Sequence, residues 1–233
     1  MRDNEKENYL ETKFSLDNLK QKETILNNKV TFLGFDRVGS NKDLYIKEYY
    51  DTPDFFLQER GITINKNTIK GDKKSELVVR FNTKIERVQF LSNIPDIFTL
   101  EINKNDSVFK HSEFIAKSIS ELVPNGLSVD PMQLANSLTN ICTVTKKRDT
   151  VRMINIQGLK LNIHFTKALY ESRLSRFKDN HLMVEIESHS IDKSEDYQEF
   201  IKKITFNNPT LIKLQDSDIE IAKASILKDV NKK

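Results

Sequence analysis

Cysteine is nearly absent: Cys142 is the only one in 233 residues, so no disulfide can form within the chain. It lies in the apolar and threonine-rich run Leu138–Val144, where a small buried filler is expected rather than a nucleophile. Long apolar runs are missing too. None approaches the roughly 20 residues of a membrane span, and no signal-peptide pattern is present. The expectation is a soluble, cytoplasmic protein with no membrane partner. There is little net charge: 37 Lys and Arg against 34 Asp and Glu leave +3, which argues against a general nucleic-acid surface. Walker glycine loops, HExxH and CxxC patterns are absent. So are internal repeats, low-complexity segments and linkers, which predicts one domain over residues 1–233.

What is present is a 37% hydrophobic chain, enough for one large core, whose 30% charged residues force any functional asymmetry to be local. The stretch Glu48–Lys66, EYYDTPDFFLQERGITINK, organises the rest. Leu44, Ile46 and Tyr50 alternate with Tyr45 and Tyr49, a strand pattern. Pro53 removes a ladder donor and biases Thr52 away from helix, so the strand stops at Asp51-Thr52-Pro53-Asp54. Asp54 is the predicted cap of a helical turn through Phe55–Leu57. Gly61 reverses the chain, and Ile62-Thr63-Ile64 opens the next strand.

Elsewhere the periodicity changes repeatedly between two and 3.6 residues. Tyr9–Leu16 is a strand with Glu11 and Lys13 on one face and Leu10, Thr12 and Phe14 on the other. Leu16–Asn28 reads as a helix, Val30–Val38 as a strand, and Gly39-Ser40-Asn41 as a turn. Ser75–Asn82, Ile85–Leu91 and Phe98–Ile102 read as strands. Phe109–Leu122 is helical, and Ser128 or Asp130 caps a second helix beginning near Pro131. The second half is strand-rich: Asn140–Arg148, Thr150–Ile156, a turn at Gly158, Leu159–Tyr170 and His181–Ser188. Leu161, Ile163 and Phe165 share one face, with Lys160, Asn162, His164 and Thr166 on the other. In the same way Leu182, Val184 and Ile186 oppose Glu185 and Glu187. Asp192–Ile204 and Asp216–Val230 read as the last two helices. Lys146, Lys147, Arg148 and Arg152 form the densest basic cluster, and alternation turns Lys147 away from Lys146 and Arg148.

The tyrosine-rich strand, DTP corner, leucine-containing turn and glycine before a further strand resemble the signature of the CYTH superfamily, the triphosphate tunnel metalloenzymes. The resemblance covers nearly the whole chain. It implies an α+β fold: an antiparallel eight-stranded β-barrel, or tunnel, with helices packed on the outside. The charged strand faces would line the lumen. It also implies a metal-dependent phosphohydrolase acting on inorganic triphosphate, a nucleoside triphosphate or a similar compound. Lys13, Arg80, Arg87, Lys146 and Arg148 would then bind phosphate. Glu11, Glu185 and Glu187 would hold Mg2+ or Mn2+, whose hard character suits oxygen ligands. His164 joins these acids as a catalytic candidate, because an imidazole can offer phosphate a proton.

The chain departs from the family pattern at six positions. Tyr9 replaces an acid, Asn65 and Asn67 replace arginines, Gln89 and Leu91 replace acids, and His164 stands where an acid is usual. Two neutral amides cannot reproduce the bidentate forks of two arginines. These losses support an alternative expectation, a degenerate tunnel that binds polyphosphate or nucleotide without turnover, or a scaffold.

Overall fold

The structure is a computed structural model that describes residues 10–29, 31–81, 97–123, 128–214, 220–221 and 223. Among the described residues nine strands and five α-helices follow one another. The strands are β1 (Leu10–Ser15), β2 (Phe35–Asp51), β3 (Ile62–Ile69), β4 (Lys74–Phe81), β5 (Ile97–Asn103), β6 (Thr139–Asn155), β7 (Lys160–Ser172), β8 (Lys178–Ser188) and β9 (Ile212–Leu214). The helices are α1 (Lys20–Leu26), α2 (Phe56–Glu59), α3 (Ser112–Leu122), α4 (Pro131–Ser137) and α5 (Ser194–Asn207). The hydrogen-bonded order is β5-β4-β3-β2-β6-β7-β8-β1-β9. This is the expected α+β architecture, with nine strands where eight were predicted. Among the described residues no ladder joins β5 to β9. The extra strand is β9, whose three residues pair antiparallel with Lys13–Ser15 of β1. A run of three is too short to show a period in sequence.

The chain divides into two compact units. Unit 1 comprises Met1–Leu44, Lys146–Leu169 and Asn180–Ser217; unit 2 comprises Tyr45–Thr145, Tyr170–Asp179 and Asp218–Lys233. Each has its own core. In unit 1, Leu161, Ile163 and Phe165 of β7 and Val184 and Ile186 of β8 pack against Tyr197, Phe200, Ile201 and Ile204 of α5. The i, i+3, i+4, i+7 spacing on α5 places those four residues on one stripe. Tyr197 does more than pack: its hydroxyl donates to the Ile186 carbonyl at 2.8 Å and accepts from the Thr12 hydroxyl at 2.9 Å. Burial pushes its phenol up to about 12, beyond the opposing effect of the Thr12 hydrogen bond.

In unit 2, Leu57, Ile62, Ile64, Leu77 and Val79 pack under Ile115 and Ile119 of α3 and Leu134 of α4. Asp130 caps α4, accepting from Met132 and Gln133 N–H with Pro131 in the first turn, as predicted. Lys66 is buried on this side, and its Nζ donates to the carbonyls of Lys104 at 2.7 Å and Asp106 at 2.9 Å.

Two local expectations are corrected. Gly39-Ser40-Asn41 is no turn; it lies inside the 17-residue strand β2. Gly39 is not among the positive-φ glycines, so it needs no conformational freedom here, and the reversal falls earlier, at Gly34 with φ 82°. Asp54 accepts from Phe56 N–H at the start of α2, but Asp51 caps the turn more fully. Asp51 accepts from Thr52 N–H at 2.7 Å, Leu57 N–H at 2.9 Å and Gln58 N–H at 2.9 Å. The chain folds back because Phe55 adopts the left-handed region at φ 61°, rare for an aromatic residue. The predicted strand Ile85–Leu91 lies outside the described residues, as does most of the helix Asp216–Val230. Among the described residues no helix is long and apolar enough to cross a membrane.

Candidate functional site

The polar face of unit 1 is built by register. Antiparallel pairing of β1 with β8 sets Glu11 directly opposite Glu187 and Lys13 directly opposite Glu185. Directly opposed residues lie on the same face of a sheet, so all four side chains leave together while Thr12 and Phe14 go to the core. β7 adds His164 and Thr166, and β6 adds Lys146, Arg148 and Thr150, each set spaced by two.

Glu185 is the centre of this face. It is 1% exposed, and three cations converge on it. Lys146 Nζ approaches Oε1 at 3.4 Å, Lys13 Nζ approaches the same oxygen at 3.8 Å, and Arg148 reaches Oε2 at 2.5 Å. Thr166 donates to Oε2 at 3.4 Å. An isolated carboxylate so deeply buried would be strongly destabilising; here opposite charge and hydrogen bonds offset the desolvation. Lys147 is exposed, as alternation requires, while Lys146 is buried.

Beside this cluster runs a second chain of contacts. Glu187 Oε2 lies 3.0 Å from His164 Nε2, and His164 Nδ1 lies 2.8 Å from Thr150 Oγ1. Nε2 donates to Glu187, and Nδ1 shares the second hydrogen bond with the Thr150 hydroxyl, in a direction set by the protonation of the imidazole. Burial pushes the Glu187 carboxyl up, but the hydrogen bond and charge of His164, with Arg148, outweigh it and hold Glu187 below its ordinary value. Glu11 is bridged by Lys13 at 3.2 Å.

The structure thus brings together Glu11, Lys13, Lys146, Arg148, His164, Glu185 and Glu187. Arg80 lies in unit 2, exposed on the β4 face that carries Glu76 and Val78. On that face Asn65 Nδ2 donates to Asn67 Oδ1 at 2.7 Å, and Asn67 Nδ2 donates to Glu76 at 3.4 Å. The two amides are therefore joined in one short chain that ends on Glu76. Arg87, Tyr9, Gln89 and Leu91 lie outside the described residues. Sequence reasoning missed Thr150 as a contributor. Thr150 was legible by spacing, since Lys146, Arg148 and Thr150 follow at i, i+2 and i+4. Thr166 was on the correct face without an assigned partner.

Among the described residues no three His, Cys, Asp or Glu side chains gather as a metal site. Glu185, expected as one of three ligands, has both oxygens engaged by cations. Glu11 and Glu187 remain as an opposed pair, and two carboxylates suit an Mg2+ that takes its other ligands from phosphate and water.

No family model matches the chain, and no curated protein does. Solved structures do. An adenylate cyclase-like protein of Bacillus halodurans matches with a TM-score of 0.50 at 12% identity, over 90% of this chain and 94% of that one. An adenylyl cyclase-like protein of Hippeastrum with a dominant triphosphatase activity matches with a TM-score of 0.47 at 11% identity, over 93% and 96%. A protein of Pyrococcus horikoshii OT3 matches with a TM-score of 0.45 at 14% identity, over 93% and 99%. At such identities the likeness is one of fold.

Proposed function

We propose that this chain, whose fold is that of the CYTH or triphosphate tunnel proteins, binds a triphosphate-containing anion as its divalent-metal complex and hydrolyses it. The observation that carries this reading is the convergence of Lys13, Lys146 and Arg148 on one buried carboxylate. Cations arranged around a fixed oxyanion present the donor set that a phosphoryl group requires.

Charge decides how the ligand arrives. Lys13, Lys146 and Arg148 balance Glu11, Glu185 and Glu187, so the face is neutral while His164 is neutral. A triphosphate carries about four negative charges near neutral pH and needs more positive charge than this face supplies. Glu11 and Glu187 would hold Mg2+ or Mn2+, which would supply the positive charge that this face lacks. Glu185 stays with the cations and fixes their positions. His164 is locked between Glu187 and Thr150, placed to pass a proton at Nε2. Hydrolysis adds water to the terminal phosphorus and releases inorganic phosphate. Arg80 and Arg87 stay in the proposal as phosphate contacts on the strength of the resemblance.

The Asn65–Asn67 amide pair favours a second reading, binding without turnover. A phosphate-release screen over triphosphates, with Mg2+ and Mn2+ separately, tests the two together with a melting-temperature scan. A rise in melting temperature that needs metal, with phosphate released, supports hydrolysis. A rise without release supports the second reading. A flat melting temperature at millimolar triphosphate with metal overturns both. The rise should shrink in Arg148→Ala and in Arg80→Ala.

A further inference from the structure

A cleft of about 300 Å3 opens on unit 1 between α1, the first part of β2, and β6. None of the residues that grip Glu185 lines it. Three cations do, Lys22, Arg37 and Lys42, against one acid, Asp149. Asp149 is committed: its Oδ2 lies 2.5 Å from Lys22 Nζ. Lys22 also lies 5.5 Å from the Phe165 ring centroid, which fixes it further. That leaves Arg37 and Lys42, neither of them ion-paired among the described residues. The wall beneath them is apolar, formed by Leu26 and the buried Val151.

Asn41 stands in the same wall, and its Nδ2 donates to Asp43.

We infer that this cleft binds a small organic phosphomonoester with a flat body, a nucleoside monophosphate being the simplest case. Arg37 and Lys42 match the roughly −1.5 to −2 charge of a monoester phosphate at neutral pH. Leu26 and Val151 take one face of the ring. The volume lies at the small end of ligand pockets, which begin at about 300 Å3, and admits a monophosphate more readily than a triphosphate. Thr150 lines the cleft and is hydrogen-bonded to His164 at 2.8 Å, so an occupant is also felt at the face described above.

The experiment is titration calorimetry of the full chain with adenosine monophosphate in the presence of a chelator, so that metal-dependent binding at the Glu185 face is silent. Inorganic phosphate and adenosine are titrated in parallel. The expected result is saturable binding of the monophosphate, at least about tenfold tighter than either fragment. It should weaken about tenfold or more in Arg37→Ala and in Lys42→Ala, both exposed and safe for folding. Lys167→Ala, an exposed β7 position outside the cleft, should leave it unchanged. Absence of saturation up to about 10 mM overturns the inference. So does equal binding of inorganic phosphate, or loss in Lys167→Ala with Arg37→Ala unaffected. Because the readout excludes metal and triphosphate, failure here leaves the phosphohydrolase proposal standing, and the reverse also holds.

Discussion

Replacing Glu185 by Gln tests the central claim that one buried carboxylate holds three cations in place. The substitution is nearly isosteric, so packing is preserved. Its effect is electrostatic. Lys146, itself 6% exposed, together with Lys13 and Arg148, loses the carboxylate all three share, and the new amide hydrogens face cations that are themselves donors. Removing one partner of a buried ion pair costs about 3–5 kcal/mol, because the remaining charge stays desolvated. For a chain of this size each kcal/mol moves the melting temperature by roughly 2–4 °C, so the expected fall is about 6–20 °C. Differential scanning fluorimetry measures it directly. The same assay with triphosphate gives the second half of the prediction. A ligand at a hundred times its dissociation constant adds about 2.7 kcal/mol. In Glu185→Gln the phosphate no longer competes with a carboxylate for the cations, so triphosphate should restore more stability there than it adds to the wild type. A variant melting within about 1 °C of wild type, or one that triphosphate stabilises no more than wild type, refutes the reasoning.

Three further outcomes follow from the geometry. Asp51→Ala strands three backbone N–H groups and should cost about 3–5 kcal/mol in urea unfolding, with Asp51→Asn losing less because it keeps one acceptor oxygen. Glu187 is held below its ordinary carboxyl value of 4.5, so its contribution is complete above that pH and disappears as pH falls through the lower folded value. The stability gap between wild type and Glu187→Gln should therefore be largest near neutrality and close in acid, read from denaturation midpoints between about pH 3 and 7; a gap that widens in acid contradicts the assigned sign. Tyr197→Phe loses two hydrogen bonds to β1 and β8 and should cost about 1–3 kcal/mol by the same assay, with unit 1 more exposed to hydrogen exchange.

The strand faces of the site were legible because a period of two is a local property. Glu11 with Lys13, Lys146 with Arg148, and Glu185 with Glu187 each fall two apart, and each pair emerges on one face. The apolar alternates were equally clear, and Leu161, Ile163 and Phe165 lie under α5 as their pattern required. Local rules failed where two signals competed. Gly39-Ser40-Asn41 has turn composition, yet β2 runs through it, because pairing on the sheet overrides composition. Asp54 sits at an ordinary cap position and reaches Phe56 N–H, yet Asp51 takes the larger share by reaching six and seven residues forward around a left-handed Phe55.

By itself the sequence determined which residues share a face, where most elements lie and which charges are available. Those follow from backbone geometry, which acts over a few residues. Only the tertiary structure decided which face meets which. It paired Lys13 with Glu185, set three cations on that carboxylate, and left Glu11 opposite Glu187, because strand register is fixed by packing across the whole sheet. It also settled that Asn65 and Asn67 bond each other, and that Arg37, Lys42 and Asn41 share a cleft with α1. Contacts between residues more than a hundred positions apart, such as Lys22 with Asp149, have no local signature, since chain closure rather than propensity brings them together.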